Sequence, residues 1–253
     1  MRIILLECSM DLRRALRYKV GILSDLVIFT ALLLVFLYSN TGASFQEEYR
    51  TENGKALLLL GYTAWTLAST AISVTSQQIH AEVQRGTFYL KLNSGLPLPL
   101  LYLGDFLSAG ILQTGVIFVY TLAGQIIFQV SYGLNLEIVF SLLLGSLGMY
   151  GVGLLVAGIA LLYKRVSSFL FLLQLCLLFV TDTVPTAGSI TAVTNLIPLT
   201  RCNAVIRNSF LGTHSPNDLL LLCISSAAAF AIGCAVFQCC FRRAKRKGVL
   251  LLY

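Results

Sequence analysis

Residues 136–163 read LEIVFSLLLGSLGMYGVGLLVAGIALLY, with no lysine or arginine anywhere in the run. A helix of roughly 20 mostly apolar residues crosses about 30 Å of hydrocarbon, so this stretch alone is long enough to span a bilayer. Its glycines, Gly145, Gly148, Gly151, Gly153 and Gly158, are not followed by Lys-Ser or Lys-Thr, so the run holds no Walker A phosphate loop. Small residues on a spanning helix let a neighbouring backbone approach closely, and that is the reading favoured for them.

Similar runs lie on both sides of it. Going outward, spans are expected at about 20–38, 56–79, 100–130, 136–163, 167–181 and 219–241, which makes an all-α polytopic membrane protein with a single transmembrane domain over 1–253. The first run lacks a small-residue cleavage site before the polar stretch at Ser39, so it reads as a retained span rather than a signal peptide. The fifth, Ser167 to Thr181, is short for a full crossing, and Pro185, Gly188 and Pro198 interrupt the moderately apolar stretch after it. A short span and then re-entrant or surface helices packed on protein are expected there. Before the first span, residues 5–18 place Leu5, Cys8, Leu12, Ala15 and Leu16 on one side and Glu7, Asp11, Arg13, Arg14 and Arg17 on the other. This pattern suits an interfacial helix whose cations reach lipid phosphates.

Composition agrees: 57% of residues are apolar, 11% are charged and the mean hydropathy is +0.83. Soluble domains carry about a quarter charged residues, so water cannot be the only solvent of this surface. Arg50, Lys55, Arg201 and Arg207 fall on one side of the expected topology and the rest of the 18 lysines and arginines on the other. By the positive-inside rule the second side is cytoplasmic, with both termini on it, in a multi-pass cell-membrane protein. The net charge of +7 then belongs to topology and anionic lipid, and no nucleic acid is needed. The seven cysteines lack metal-type spacing, and most lie in apolar runs.

Chemistry within the membrane is sparse. His80 and His214 fall on opposite sides and neither belongs to an H-E-x-x-H pattern, so no metal site is expected. Asp105 reads as a hydrated boundary residue at the inner end of the third span. No span carries a charge near its middle, which argues against a proton-driven carrier or a voltage sensor. Thr66, Thr70, Ser73 and Gln77 recur along one face of the second span as a polar seam. Such a seam either packs a neighbouring helix or lines a translocation path. Gln113, Gln125, Gln129 and Gln174 add uncharged polar groups that serve helix contacts or the polar part of a cargo.

Residues 80–106, HAEVQRGTFYLKLNSGLPLPLLYLGDF, resemble a segment of type-2 ABC exporter permeases: an acidic residue followed by Gly-Thr, a short helix and a proline before the third span. The basic helix entering the first span, the Pro198-Leu199-Thr200-Arg201 stretch and the basic tail agree with that pattern. The chain has Phe88-Tyr89 where Leu-Glu is frequent. The resemblance implies an exporting permease for an amphipathic or hydrophobic cargo (peptide, lipid or drug). It implies a partnership with a second permease copy or paralogue and with two cytosolic ABC ATPase subunits. ATP and Mg would be held by those subunits, with no cofactor and no enzyme activity on this chain. It also implies an ATPase-coupling loop at Glu82, Arg85, Gly86, Thr87 and Phe88, with Gly86 making a tight turn and Phe88 anchoring in the ATPase. The alternative is a membrane scaffold or assembly partner that moves nothing.

Overall fold

The structure, a computed structural model, describes residues 2–17, 19–39, 45, 53–93, 95–128, 130, 133, 135–163, 167–181, 183, 194–213 and 215–246. Expectations placed on most of the loop after Ser39, on Gln129, Lys164, Arg165, Asp182, Pro185, Gly188, His214 and on the tail beyond Arg246 lie outside these residues. Among the described residues every regular element is a helix: α1 (Arg2–Arg17), α2 (Lys19–Tyr38), α3 (Gly54–Gln84), α4 (Phe88–Leu92), α5 (Leu98–Phe128), α6 (Leu136–Tyr163), α7 (Ser167–Val180), α8 (Pro198–Phe210) and α9 (Pro216–Arg246). The five helices α2, α3, α5, α6 and α9 are long and apolar enough to cross a bilayer. α7, the expected fifth span, has 14 residues. At 1.5 Å per residue it reaches only about 21 Å.

α3 and α6 form the hub. Of its most apolar window α3 buries 78%, against 11% for α2, so α2 leaves most of its surface to another solvent. Val27 and Val35 of α2, Phe118 and Ile126 of α5, Phe171 and Leu172 of α7, and Leu220 and Ile224 of α9 are all exposed. So many large apolar side chains around one bundle fit lipid and not water. The glycines of α6 explain how it serves as hub. A Cβ on Gly151 would lie 2.5 Å from the Phe230 Cα of α9, and one on Gly233 would overlap the Gly151 carbonyl. On the opposite side a Cβ on Gly153 would lie 2.7 Å from the Ala71 carbonyl oxygen of α3. α6 is thus clamped between two backbones at van der Waals distance, as the expected small-residue packing requires.

Polar side chains stitch the remaining helices to α3. The Tyr62 hydroxyl donates to the Phe29 carbonyl of α2 at 2.7 Å. Trp65 Nε1 donates to the Gln174 carbonyl of α7 at 2.9 Å, and Gln174 Nε2 returns a bond to the Ser69 carbonyl at 2.9 Å. In an apolar solvent such bonds have no competing water. α8 lies beside α6, with Leu199, Cys202, Val205 and Ile206 buried. A surface helix packed on protein is the expectation for this stretch.

Several helix limits differ from those expected, α9 for one running from Pro216 to Arg246 and not from 219 to 241. α3 runs on to Gln84, past Ile79, so Glu82 belongs to a helix and not to a loop. α5 covers Leu98–Phe128, beginning two residues early and ending before Val130. Pro97 precedes it, and its carbonyl accepts from Leu100 N at 3.0 Å. Pro99 sits in the first turn, where a missing N–H is no loss.

The α3–α4 corner closes as a Schellman motif: Thr87 N donates to the Glu82 carbonyl at 2.9 Å and Gly86 N to the Val83 carbonyl at 3.1 Å. Gly86 has φ +69, the left-handed region expected of a tight turn. A Cβ there would meet nothing within 4 Å, so substitution reports backbone strain alone. Gly86→Ala should cost about 1 kcal/mol, read as a melting point lower by a few degrees, with Gly86→Asn closer to the parent.

Candidate functional site

At one end of the bundle, α1, α4, the end of α3 and the start of α5 meet around a single ammonium group. Lys91 Nζ lies 2.8 Å from Glu7 Oε1 of α1, 2.6 Å from Glu82 Oε1 of α3 and 3.0 Å from Asp105 Oδ2 of α5. The Tyr102 hydroxyl donates to the second Glu82 oxygen at 2.8 Å, and the ammonium stands 4.5 Å from the Tyr102 ring centroid. Burial alone would push the Lys91 pKa down, but Asp105, Glu7 and Glu82 outweigh it and hold it well above its ordinary value. One carboxylate oxygen from each of Glu7, Glu82 and Asp105 lies within 4.8 Å of the others, a spacing that calls for a cation. The lysine supplies it.

This corrects the expectation for Asp105, which is 1% exposed and ion-paired, not hydrated. It also divides the polar side of α1. Glu7 turns inward to Lys91, and Asp11 accepts from Gln78 Nε2 at 3.3 Å and pairs with Arg14 at 2.9 Å. Arg13, Arg14, Arg17 and Arg85 instead surround a separate cleft of about 420 Å³. α1 approaches closely because residue 104 is glycine: a Cβ there would lie 2.9 Å from the Ile4 carbonyl oxygen.

The residues 82–88 separate by burial. Glu82 is buried in the ion cluster, and Phe88 is only 4% exposed, packed in the core of the chain itself. In this arrangement the Phe88 side chain faces the chain's own core and not outward. The Thr87 hydroxyl turns back to the Glu82 carbonyl at 3.4 Å, and Arg85 is exposed. The outward apolar groups of α4 are Tyr89 and Leu90, at 59% and 57% exposure. A five-residue helix shows three consecutive apolar side chains to three directions, and sequence alone does not say which one faces in.

The seam of α3 separates too. Thr66 is fully buried; its hydroxyl donates to the Thr63 carbonyl at 2.9 Å and meets the Tyr120 hydroxyl at 3.1 Å, which is helix packing. Thr70, Ser73 and Gln77 instead line a cavity of about 470 Å³ between α1, α2, α3, α5 and α7. Gln113 and Gln174 reach the same cavity. So does Asp25, a carboxylate on α2 that the expected site residues do not include. The sequence does carry its signal: an acidic residue five positions after Val20, inside an otherwise apolar run, hidden by the average hydropathy of its neighbours.

A family model described as ABC-2 type transporter matches residues 12–211, a region that contains the Lys91 cluster apart from Glu7 and the whole of the cavity. A search of curated proteins finds no match.

Proposed function

Because the chain belongs to the ABC-2 type transporter family, whose model covers residues 12–211, we propose that it exports an amphipathic or hydrophobic cargo with energy supplied through the α3–α4 corner. The family provides the transmembrane permease subunit of an ABC transporter, which works with ABC ATPase subunits. Two such subunits, carrying ATP and Mg, would dock in the cytosol beneath this chain and a second permease copy or paralogue. α7 would complete a sixth crossing and leave both termini cytoplasmic, an orientation supported by the distribution of basic residues. The arginine cleft beside α1 suits lipid phosphates on that side.

The observation that carries the reading is α4 itself. It offers Tyr89 and Leu90 outward while Lys91 ties it to three other helices. A short helix held this way moves with α1, α3 and α5 and not independently of them, so a push from an ATPase reaches two spans and the interfacial helix together. Within the expected coupling segment Glu82 and Phe88 hold the corner from inside, Gly86 and Thr87 shape it, and Arg85 faces out with Tyr89 and Leu90. Cargo would pass beside Thr70, Ser73 and Gln77, with Thr66 retained for packing.

Tyr89→Ala combined with Leu90→Ala should cut recovery of the ATPase in gentle detergent by about tenfold or more while leaving the melting point of the chain near the parent's. Recovery of no ATPase with the parent chain would favour the scaffold that moves nothing.

A further inference from the structure

We propose that the cavity between α1, α2, α3, α5 and α7 binds the protonated amine of an amphiphilic ligand, with Asp25 as its counter-ion. Asp25 lies within an apolar span, and among the described residues no cation pairs with it. A carboxylate inside an apolar span is costly to keep without a partner, and Asp25, exposed on the second turn of α2, has room for one. Here the open partner position is the cavity.

The wall selects for positive charge through its unused hydrogen-bonding capacity. The Thr70 hydroxyl donates to the Thr66 carbonyl at 3.0 Å and the Ser73 hydroxyl to the Ser69 carbonyl at 3.0 Å. Their hydrogens are spent inside α3, so they present lone pairs to the cavity. Gln174 spends its amide nitrogen on the Ser69 carbonyl, which leaves its side-chain oxygen as an acceptor. Together with the Asp25 carboxylate these groups turn acceptors toward the cavity. An ammonium with several N–H donors pairs with Asp25 and these lone pairs, whereas a carboxylate or sulfate would be repelled by the Asp25 carboxylate.

A second observation points to an occupant. Gln113 is 5% exposed, lines the cavity, and its Nε2 has no hydrogen-bond partner. A buried amide donor without a partner is unfavourable, and an acceptor oxygen carried by the ligand beside its ammonium would relieve it. The apolar part of the ligand has its own place: Ile22, Phe29, Leu112 and Val116 line the same space, and the Phe29 ring can face a cation. The volume of about 470 Å³ falls in the range of small-molecule sites.

Two sources share this chemistry, an aminophospholipid headgroup and a soluble amphiphilic amine. As a binding site the cavity stands by itself; as a cargo site it rests on the permease reading. The chain has one tryptophan, Trp65, whose ring centroid lies 6.2 Å from that of Phe29, so intrinsic fluorescence reports on the cavity. The purified chain in phosphatidylcholine nanodiscs, without ATPase, should show a saturable change with dodecylammonium. Binding should be weaker for dodecyltrimethylammonium, which lacks N–H donors, and absent for dodecanoate. Asp25→Asn should weaken dodecylammonium binding by tenfold or more with an unchanged melting point, and Asp25→Glu should retain it within a few fold. Adding phosphatidylethanolamine to the nanodisc distinguishes the sources: competition assigns the site to lipid, and no competition assigns it to the soluble amine. Equal binding of dodecanoate, or an Asp25→Asn affinity within twofold of the parent, overturns the proposal. Because no ATPase is present, that failure leaves the coupling role of α4 standing, and loss of ATPase recovery leaves this site standing.

Discussion

Lys91→Met should destabilise the folded chain by about 3–5 kcal/mol, the range seen when one partner of a buried ion pair is removed. The size reflects the groups left behind: Glu7, Glu82 and Asp105 would face one another with no cation among them, and Asp105 has no side-chain exposure at all. Removing the ammonium therefore turns mutual attraction into repulsion among groups that water reaches poorly. Neutralising one carboxylate in addition should restore part of the loss. Asp105→Asn alone leaves Glu7 and Glu82 on the lysine, so it should cost less than Lys91→Met. In the Lys91→Met background the same change should be stabilising. Thermal melts of the two single variants and the double variant give the coupling energy, and additive effects would show that the four groups do not act as a unit. Hydrogen exchange supplies the local readout: amides of residues 88–92 should open in Lys91→Met, because α4 is too short to persist without its tether.

The contrast between what sequence reveals and what it conceals at this corner is physical. Spans are readable because a bilayer imposes one length and one composition on every crossing helix, and α2 begins and ends within a residue of the expected limits. The turn at Gly86 is readable because only glycine adopts its φ freely. Lys91 is not, since its carboxylate partners stand at positions 7, 82 and 105 and meet only after α1 crosses α5 at Gly104. Nothing local distinguishes that lysine from one on a solvated loop. Asp105 misleads for the same reason: a carboxylate near a span end is hydrated unless a distant cation arrives.

The polar seam shows a second limit. A spacing of three and four places Thr66, Thr70, Ser73 and Gln77 on one face, but a face more than about 15 Å long meets different neighbours along its length at about 1.5 Å per residue. Tyr120 closes over Thr66, while the section from Thr70 to Gln77 looks into the cavity. Packing and cavity lining are alternatives for the whole seam when only its spacing is known, and the helix divides them between its two ends.

The other large effect lies at the α6–α9 crossing. Gly233→Leu should cost about 3 kcal/mol or more, at or beyond the upper end of overpacking effects, because its side chain would have to enter the Gly151 backbone and not a yielding side chain. Neither partner can retreat cheaply. α6 is held on its far side by α3, where Gly153 already touches the Ala71 and Ile72 backbones, so displacement from α9 would drive α6 into the hub. The matched control is Gly115→Ala on α5, where a Cβ meets nothing within 4 Å. That change should be neutral or stabilising by up to about 1 kcal/mol, since alanine is the better helix former. Melting temperatures of the two variants in the same detergent make the comparison direct. If Gly233→Leu melts with the parent, α6 and α9 do not meet backbone to backbone, and the clamp that orders the bundle around α6 is lost with that contact.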